Sequence, residues 1–192
     1  LALDKKNVPS TIFWGPPGCG KTTLAQIMAS YTQRPFFQLS AVHDGMAVLK
    51  KYIQEARHAT LFGGILLFVD EIHRWNKAQQ DALLPHVESG LIILIGATTE
   101  NPSFSVIPAL RSRCWMITLQ ALQEEDICIA LQRGCTDLSL TYEEGVLSQI
   151  ASLSSGDMRR ALSILERVAH ACDGVLSKEV LAPNQSEVGT WV

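Results

Sequence analysis

"GPPGCGKTT", residues 15–23, is the most informative stretch of this 192-residue chain. It fits the pattern G-x-x-x-x-G-K-[ST], in which glycines let the backbone curl so that successive N–H groups point at phosphate oxygens. The apolar run "TIFW" (residues 11–14) precedes it, and a helical pattern follows. A glycine-rich loop between a strand and a helix predicts a phosphate site at the helix N-terminus.

The loop also predicts which of its side chains reach a bound nucleotide. Lys21 would contact the β- and γ-phosphates, and the Thr22 hydroxyl would hold Mg²⁺. The other positions would contribute mainly backbone N–H groups. The predicted cofactor-binding residues of the loop are Gly15, Pro16, Pro17, Gly18, Cys19, Gly20, Lys21, Thr22 and Thr23.

Two adjacent carboxylates end the apolar run in "LLFVDEIH", residues 66–73. Unpaired buried charge is costly, so Asp70 and Glu71 need a positive partner. If this strand lies in the same parallel sheet as residues 11–14, its carboxyl end lies at the edge where the phosphate loop opens. Asp70 then faces the Mg²⁺ held by Thr22, and Glu71 is placed to orient or deprotonate an attacking water.

A polar segment, "GATTENPSF" (residues 96–104), ends a further apolar run. A side chain that leaves the sheet between the phosphate loop and Glu71 could hydrogen-bond the γ-phosphate and the water. Thr99 and Asn101 are the two candidates, and their spacing does not choose between them.

Five apolar runs separated by helical patterns predict an α/β fold with a parallel sheet covered on both faces. The predicted strands are residues 11–14, 36–39, 65–70, 91–98 and 115–119. After Leu119 the pattern predicts helices and no further strand, in "EEDICIALQRG", "TYEEGVLSQIASL" and "GDMRRALSILERVAHAC". Asp157 stands at the N-cap position of the last of these helices. We therefore divide the chain into a nucleotide-binding domain (1–120), a helical lid (121–176) and a polar tail (177–192).

The composition sets limits on the class of protein. Apolar residues make up 47% of the chain, which argues against disorder, and the formal net charge is −3. No apolar run is long enough for a membrane span, and the first residues do not resemble a signal peptide, so we expect no membrane association. The five cysteines show neither a disulfide framework nor zinc-ligand spacing, which indicates a reducing intracellular setting. The chain opens on Leu1 rather than Met, which suggests a fragment.

Several stretches together resemble the AAA+ ATPases of the clamp-loader group, which have a P-loop NTPase fold. Within that group the chain is most similar to the replication-associated recombination protein family, whose eukaryotic counterpart is Werner-helicase-interacting protein. The likeness covers about residues 10–170. It is carried by "FWGPPGCGKTTLA", "LLFVDEIHRWNKAQQDALLPHVESG", "LIGATTENPSFSV", "ALRSRC" and "SGDMRRAL".

The resemblance implies two further functional arginines. Arg113, in "SRC", matches the arginine finger that reaches into a neighbouring subunit's site, although Arg111 stands close by and could compete for that role. Arg159, in "GDMR", matches the lid residue that touches the γ-phosphate. The alternatives without a functional role are that Arg113 is an ordinary surface cation and that Arg159 is a charged residue at a helix start near Asp157.

The resemblance also implies a function. It implies an ATPase that uses ATP and Mg²⁺ at Walker A and Walker B motifs, is stimulated by DNA at forks and single-strand junctions, and acts in replication-fork maintenance, recombination and repair. Implied partners are DNA, replication proteins and further copies of the chain. The family carries an adenine-holding segment before the first strand and a tetramer-forming region beyond the lid, so we expect both functions to be weakened here. The implied location is the cytoplasm or nucleoid of a bacterium, or a eukaryotic nucleus.

Two alternatives stay open at this point. One is a clamp-loader-like subunit that binds nucleotide with little hydrolysis, against which the intact Lys21, Asp70 and Glu71 argue. The other is a branch-migration or helicase motor, suggested by "DEIH" (residues 70–73). A single nucleotide-binding unit followed by a helical lid disfavours the motor.

Overall fold

The computed structural model describes residues 8–32, 34–172 and 174–181. Within these ranges the chain forms two compact units. The first contains the residues up to Pro16 together with Gly20–Leu119, and the second contains Pro17–Cys19 together with the residues from Gln120 onward. Each unit has a hydrophobic core of its own.

A five-stranded sheet is the framework of the first unit. Its strands are β1 (Thr11–Trp14), β2 (Phe36–Ser40), β3 (Ile65–Asp70), β4 (Ile92–Thr98) and β5 (Trp115–Thr118). They lie in the order β2-β3-β4-β1-β5, and every neighbouring pair is parallel. All five predicted strands are confirmed, with ends that differ from the prediction by at most one residue.

Helices connect the strands of this sheet. They are α1 (Lys21–Ser30), α2 (Met46–His58), α3 (Lys77–Asp81), α4 (Leu84–Glu88), α5 (Pro102–Ser105) and α6 (Pro108–Arg111). Short 3-10 turns lie at Ala59–Phe62 and Ile72–Arg74. The predicted class, a parallel α/β sheet flanked by helices, is therefore confirmed.

The alternation of side chains along β3 explains why its sequence is apolar throughout. Successive side chains point to opposite faces of a sheet. Leu67 and Val69 pack in one cluster with Leu49 of α2, whereas Leu66 and Phe68 pack in the other with Ala25 of α1. A strand that is buried on both faces needs no polar positions.

The fifth strand does not follow the expectation that both faces are covered. Trp115, Met116 and Ile117 keep 57%, 42% and 36% of their surface exposed. β5 lies at the edge of the sheet, where β1 is its one strand partner among the described residues. Its apolar sequence therefore reflects the strand preference of β-branched and aromatic residues rather than burial.

Three helices pack together in the second unit. They are α7 (Glu124–Asp137), α8 (Val146–Ser154) and α9 (Met158–Ala171). Ile127, Ile150 and Leu165, one from each helix, meet in its core. As predicted, the Asp157 side chain caps α9, because it accepts a hydrogen bond from the Arg160 N–H at 3.1 Å.

The expectation of no strand after Leu119 is wrong. Thr141–Tyr142 (β6) pairs in parallel with Val175–Leu176 (β7). The predicted second lid helix starts only at Val146, because Gly145 in the left-handed conformation interrupts the segment before it. Two residues per strand are too few to show an alternating pattern, and the partner lies more than thirty positions away.

The predicted polar tail lies mostly outside the described residues. Within it, Lys178–Leu181 forms a short helix, α10, and residues 182–192 are not described. None of the described helices combines the length and apolar character that a bilayer span requires.

One buried glutamine joins two parts of the first unit. Gln80, which is 2% exposed, donates from Nε2 to the carbonyls of Trp75 (3.0 Å) and Ser105 (2.9 Å). Its Oε1 accepts from the Ile107 N–H at 2.9 Å. The side chain thus ties α3 to the segment that follows β4.

Gln80→Ala should lower the free energy of unfolding by about 2–3 kcal/mol, because it leaves buried backbone groups unpaired. Urea denaturation measures this change. Gln54→Ala, at an exposed position of α2, is the matched control and should change stability little. Equal effects of the two substitutions would contradict the proposed link.

Candidate nucleotide-binding site

The phosphate loop places a helix N-terminus beside open space. Gly20 lies directly before α1 with a φ of 92°, a left-handed conformation that favours glycine. As the N-cap it offers no side chain to the first-turn N–H groups, and a Cβ built on it would meet no atom within 4 Å. Unoccupied space in front of a helix N-terminus suits an anionic phosphate.

The lysine of the loop folds back on its own backbone. Lys21 is 8% exposed, and its Nζ donates to the carbonyls of Gly15 and Pro16, both at 2.8 Å. These bonds pair the ammonium group within the loop. They also keep it at the loop, where an incoming phosphate can take over its hydrogen bonds.

The base of the loop is attached to the neighbouring strand. The Gly15 N–H donates to the Thr98 carbonyl, the last residue of β4, at 3.2 Å. A Cβ at Gly15 would lie 2.4 Å from the Leu119 carbonyl oxygen, so no other residue fits there without a shift of the backbone. The loop is therefore anchored to the carboxyl edge of the sheet.

The two predicted carboxylates lie at the end of β3. Asp70 Oδ1 accepts from the Glu71 N–H at 3.1 Å. Glu71 has a φ of 54°, and such a left-handed conformation costs a non-glycine residue about 1–3 kcal/mol. This conformation ends the strand and starts the 3-10 turn at Ile72–Arg74.

Of the two candidates after β4, the structure brings Thr99 close to Glu71. Thr99 Oγ1 donates to Glu71 Oε2 at 3.4 Å. Asn101 instead caps α5, where its Oδ1 accepts from the Ser103 N–H at 2.9 Å. The structure therefore brings Thr99 to Glu71 and makes Asn101 a helix cap, and which of the two contacts the γ-phosphate stays a prediction.

Sequence reasoning missed two polar side chains of this edge. Thr98 is fully buried, and its Oγ1 lies 3.1 Å from Nδ1 of His73. The same ring nitrogen lies 3.1 Å from Glu71 Oε2. The sequence feature that could have indicated Thr98 is its place at the end of the apolar run "LIILIGAT", because a buried hydroxyl needs a hydrogen-bond partner.

The candidate finger, Arg113, lies on the surface of the first unit. It forms an ion pair with Glu88, the last residue of α4, and its Nη1 donates to the Ala109 carbonyl at 2.8 Å. Its side chain is 40% exposed. Arg111 differs, because its Nε is buried and has no hydrogen-bond partner among the described residues. Arg113 is therefore the better placed of the two to reach another molecule.

The residue after this arginine is electrically neutral near pH 7. Burial raises the pKa of the Cys114 thiol to about 11. The thiol therefore offers no negative charge that would compete for the Arg113 guanidinium.

Arg159 belongs to the second unit. It lies exposed in the first turn of α9, two residues after the Asp157 cap. Its predicted contact with the γ-phosphate stays a prediction.

Residues 11–121 match the model of the ATPase family associated with various cellular activities (AAA). The match covers more than half of the chain, and the chain belongs to this family. The confirmed α/β fold is therefore that of an AAA family member, and members of this family bind nucleotides.

Two curated relatives are similar over most of the chain. It is 46% identical over 171 residues to ATPase WRNIP1 of Dictyostelium discoideum, covering 85% of this chain and 20% of that protein. It is 44% identical over 191 residues to replication-associated recombination protein A of Escherichia coli K12, covering 95% of this chain and 43% of that protein. The resemblance inferred from the motifs is confirmed, and the chain spans less than half the length of either relative.

A solved structure is also similar. The Thermotoga maritima RuvB Holliday junction branch migration motor is 26% identical, with a TM-score of 0.78. The match covers 97% of this chain and 64% of that one. The sheet and the helical unit thus have a counterpart in an experimentally determined protein.

Thr99→Val removes the hydroxyl that faces Glu71 and should slow ATP hydrolysis about ten- to a hundredfold, since a hydrogen bond to a charged group is worth about 1.5–3 kcal/mol. Nucleotide affinity should change little. Asn101→Ala should instead cost about 1 kcal/mol of stability through the lost cap, with hydrolysis nearly unchanged. Phosphate release and urea denaturation measure both variants, and a reversed pattern would identify Asn101 as the sensor.

Proposed function

We propose that this chain is the Mg²⁺-dependent ATP-hydrolysing module of a protein that acts on DNA at replication forks and in recombination. Its site would be completed by an arginine from a neighbouring subunit. The proposal rests mainly on one continuous set of contacts along the carboxyl edge of the sheet. It runs from the phosphate loop through Thr98 and His73 to Glu71.

The edge combines a basic group, polar donors and acidic groups, which are the kinds of side chain that phosphoryl transfer uses. Lys21 and the N-terminus of α1 would bind the phosphates, and Thr99 would donate to the γ-phosphate or to the water. Glu71 would hold that water in line with the γ-phosphate and take up its proton as the new phosphorus–oxygen bond forms and the bond from the γ-phosphorus to the bridging oxygen of the departing ADP breaks. This role needs an acceptor beyond the γ-phosphate, and the contact of Glu71 with Thr99 supports the assignment to Glu71.

The residues at the edge fit Mg²⁺. The Thr22 hydroxyl and the Asp70 carboxylate are oxygen ligands, which Mg²⁺ prefers, and Asp70 Oδ1 is already oriented by the Glu71 N–H. When bound, the ion would neutralise charge on the phosphate oxygens. The presence of two carboxylates at one strand end is explained if a cation and a phosphate share the site with them.

The arginine that would complete the site comes from a second copy of the chain. Charge that spreads over the transferred phosphoryl oxygens is stabilised by a guanidinium group. Arg113 is exposed and held by Glu88 on the surface of its own unit. We propose that it enters the site of a neighbouring subunit, so that hydrolysis depends on assembly.

The proposed DNA role rests on relatives of the chain. Replication-associated recombination protein A and ATPase WRNIP1 are similar to it, and forked DNA is the ligand that we infer from the first of these names. Such binding would use phosphate contacts and would weaken as salt is raised. The corresponding location is the bacterial cytoplasm or nucleoid, or the eukaryotic nucleus, where replication proteins would be partners.

A branch-migration motor is the second candidate. The similarity to the RuvB motor supports it, although that similarity is lower in identity than those to the curated relatives. Unwinding of a forked duplex during ATP turnover would favour the motor over a protein that remodels the fork.

Glu71→Gln keeps the groups proposed to bind nucleotide and removes the proton acceptor. We expect at least a hundredfold slower hydrolysis, since general base catalysis contributes roughly 10²–10⁴-fold. Equilibrium binding of a fluorescent ATP analogue should be retained. Glu55→Gln, on the exposed face of α2, is the matched control.

An unchanged rate in Glu71→Gln would show that Glu71 has a different role. Tight binding without turnover in the unmodified chain would identify the nucleotide-gated subunit instead.

The second test measures ATPase rate per subunit against protein concentration, with and without forked DNA. We expect the rate to rise with both, and Arg113→Ala to lose roughly 10³-fold or more, as removal of an arginine finger does. Mixing Arg113→Ala with Lys21→Ala should restore activity, because one variant supplies the finger and the other the intact loop.

Arg111→Ala is the matched control and should keep the concentration dependence. A rate independent of concentration and DNA, or no recovery in the mixture, would contradict the shared site and the stimulation by DNA.

A further inference from the structure

A nearly buried histidine lies between the ends of β3 and β4. Only 3% of the His73 side chain is exposed. Its Nδ1 lies 3.1 Å from Glu71 Oε2 and 3.1 Å from Thr98 Oγ1. Its Nε2 lies 3.6 Å from Glu100 Oε1. The ring therefore contacts the residue that we propose activates water.

The partners of the ring identify which nitrogen carries a proton. Thr98 Oγ1 donates to the Glu100 carbonyl at 3.1 Å, so its own proton is used. Its lone pairs accept from the Glu100 N–H at 3.0 Å and remain available to the ring. An ionised Glu71 also only accepts. Because an ionised Glu71 Oε2 can only accept, its 3.1 Å contact assigns a proton to Nδ1, and the Thr98 hydroxyl can accept from the same N–H.

The hydrogen bond fixes one oxygen of the catalytic carboxylate. Within the described part of the chain, the contacts of Glu71 to His73 and Thr99 are both made by Oε2. The other oxygen, Oε1, is left to accept from water. Glu71 leaves a backbone turn in the left-handed conformation, so a buried partner is needed to hold its side chain in one direction.

The ring is joined to the rest of this edge by Thr98 and Glu71. Among the described residues, no group of three His, Cys, Asp or Glu side chains is arranged to hold a metal ion. Thr98 holds the ring on one side, and its backbone is joined to the phosphate loop through Gly15. His73 thus links Glu71 to the strand that anchors the loop.

We propose that His73 is a positioning residue for ATP hydrolysis, whose Nδ1–H holds Glu71 Oε2 so that Oε1 faces the attacking water. This inference rests on the proposed role of Glu71 as the group that activates water. His73 does not touch the substrate and transfers no proton itself.

The test compares kcat and the KM for ATP in His73→Ala, His73→Asn and His73→Gln, with forked DNA present. His73→Ala should lower kcat by up to about a hundredfold, as misplacement of a reacting group does, with KM nearly unchanged. The Asn amide N–H lies where Nδ1 was, whereas the Gln amide reaches the position of Nε2. His73→Asn should therefore keep more activity than His73→Gln.

A space-filling role makes the opposite prediction, because Gln is closer to His in volume than Asn is. His73→Gln with activity equal to or above that of His73→Asn would overturn the proposal. A change in KM alone, or wild-type kcat in all three variants, would do the same. His58→Ala, an exposed histidine at the end of α2, is the matched control.

Glu71→Gln is measured in parallel to separate the two claims. If it is inactive while the His73 variants turn over normally, the positioning role fails and the proposed function stands. If Glu71→Gln itself turns over normally, the proposed function fails together with the inference. Should His73→Ala not fold, the order of the Asn and Gln variants decides the outcome.

Discussion

The parallel register of β1, β4 and β3 is the constraint on which the candidate site depends. Trp14 pairs with Thr98, and Val69 pairs with Gly96, so the three strands end at one edge. The phosphate loop follows β1, Thr99 follows β4, and Asp70 is the last residue of β3. Neighbouring strands lie about 4.8 Å apart, so the three groups come to one edge within a few strand spacings. A shift of one residue in either pair would turn these side chains to the opposite face.

Hydrogen bonds orient the polar groups at this edge. Three carboxylates lie at this edge, those of Asp70, Glu71 and Glu100. Lys21 and His73 lie at the same edge and supply hydrogen-bond donors. Lys21 is paired with loop carbonyls and His73 with Glu71, so the donors are oriented before any ligand binds. The left-handed backbone at Glu71 is the strain that accompanies this arrangement.

The parts that could be predicted from the sequence are those with a local pattern. The apolar runs predicted all five strands, and the loop "GPPGCGKTT" predicted the start of α1. Two features could not be predicted, because their causes lie far apart along the chain. The short pair Thr141–Tyr142 and Val175–Leu176 exists only through tertiary contact, and His73 gains its partners only when β4 lies beside β3. The choice of Thr99 over Asn101 likewise depends on where each side chain points after the strand ends.

Convergence of the loop and the β3 carboxylates on one metal-bound triphosphate is the central claim. Pulsed electron paramagnetic resonance of Mn²⁺, substituted for Mg²⁺ with a slowly hydrolysed ATP analogue, tests it most directly. We predict ³¹P hyperfine coupling in the unmodified chain, and loss of the bound Mn²⁺ signal in both Thr22→Val and Asp70→Asn. A signal without phosphorus coupling, or variant spectra identical to that of the unmodified chain, would contradict the account.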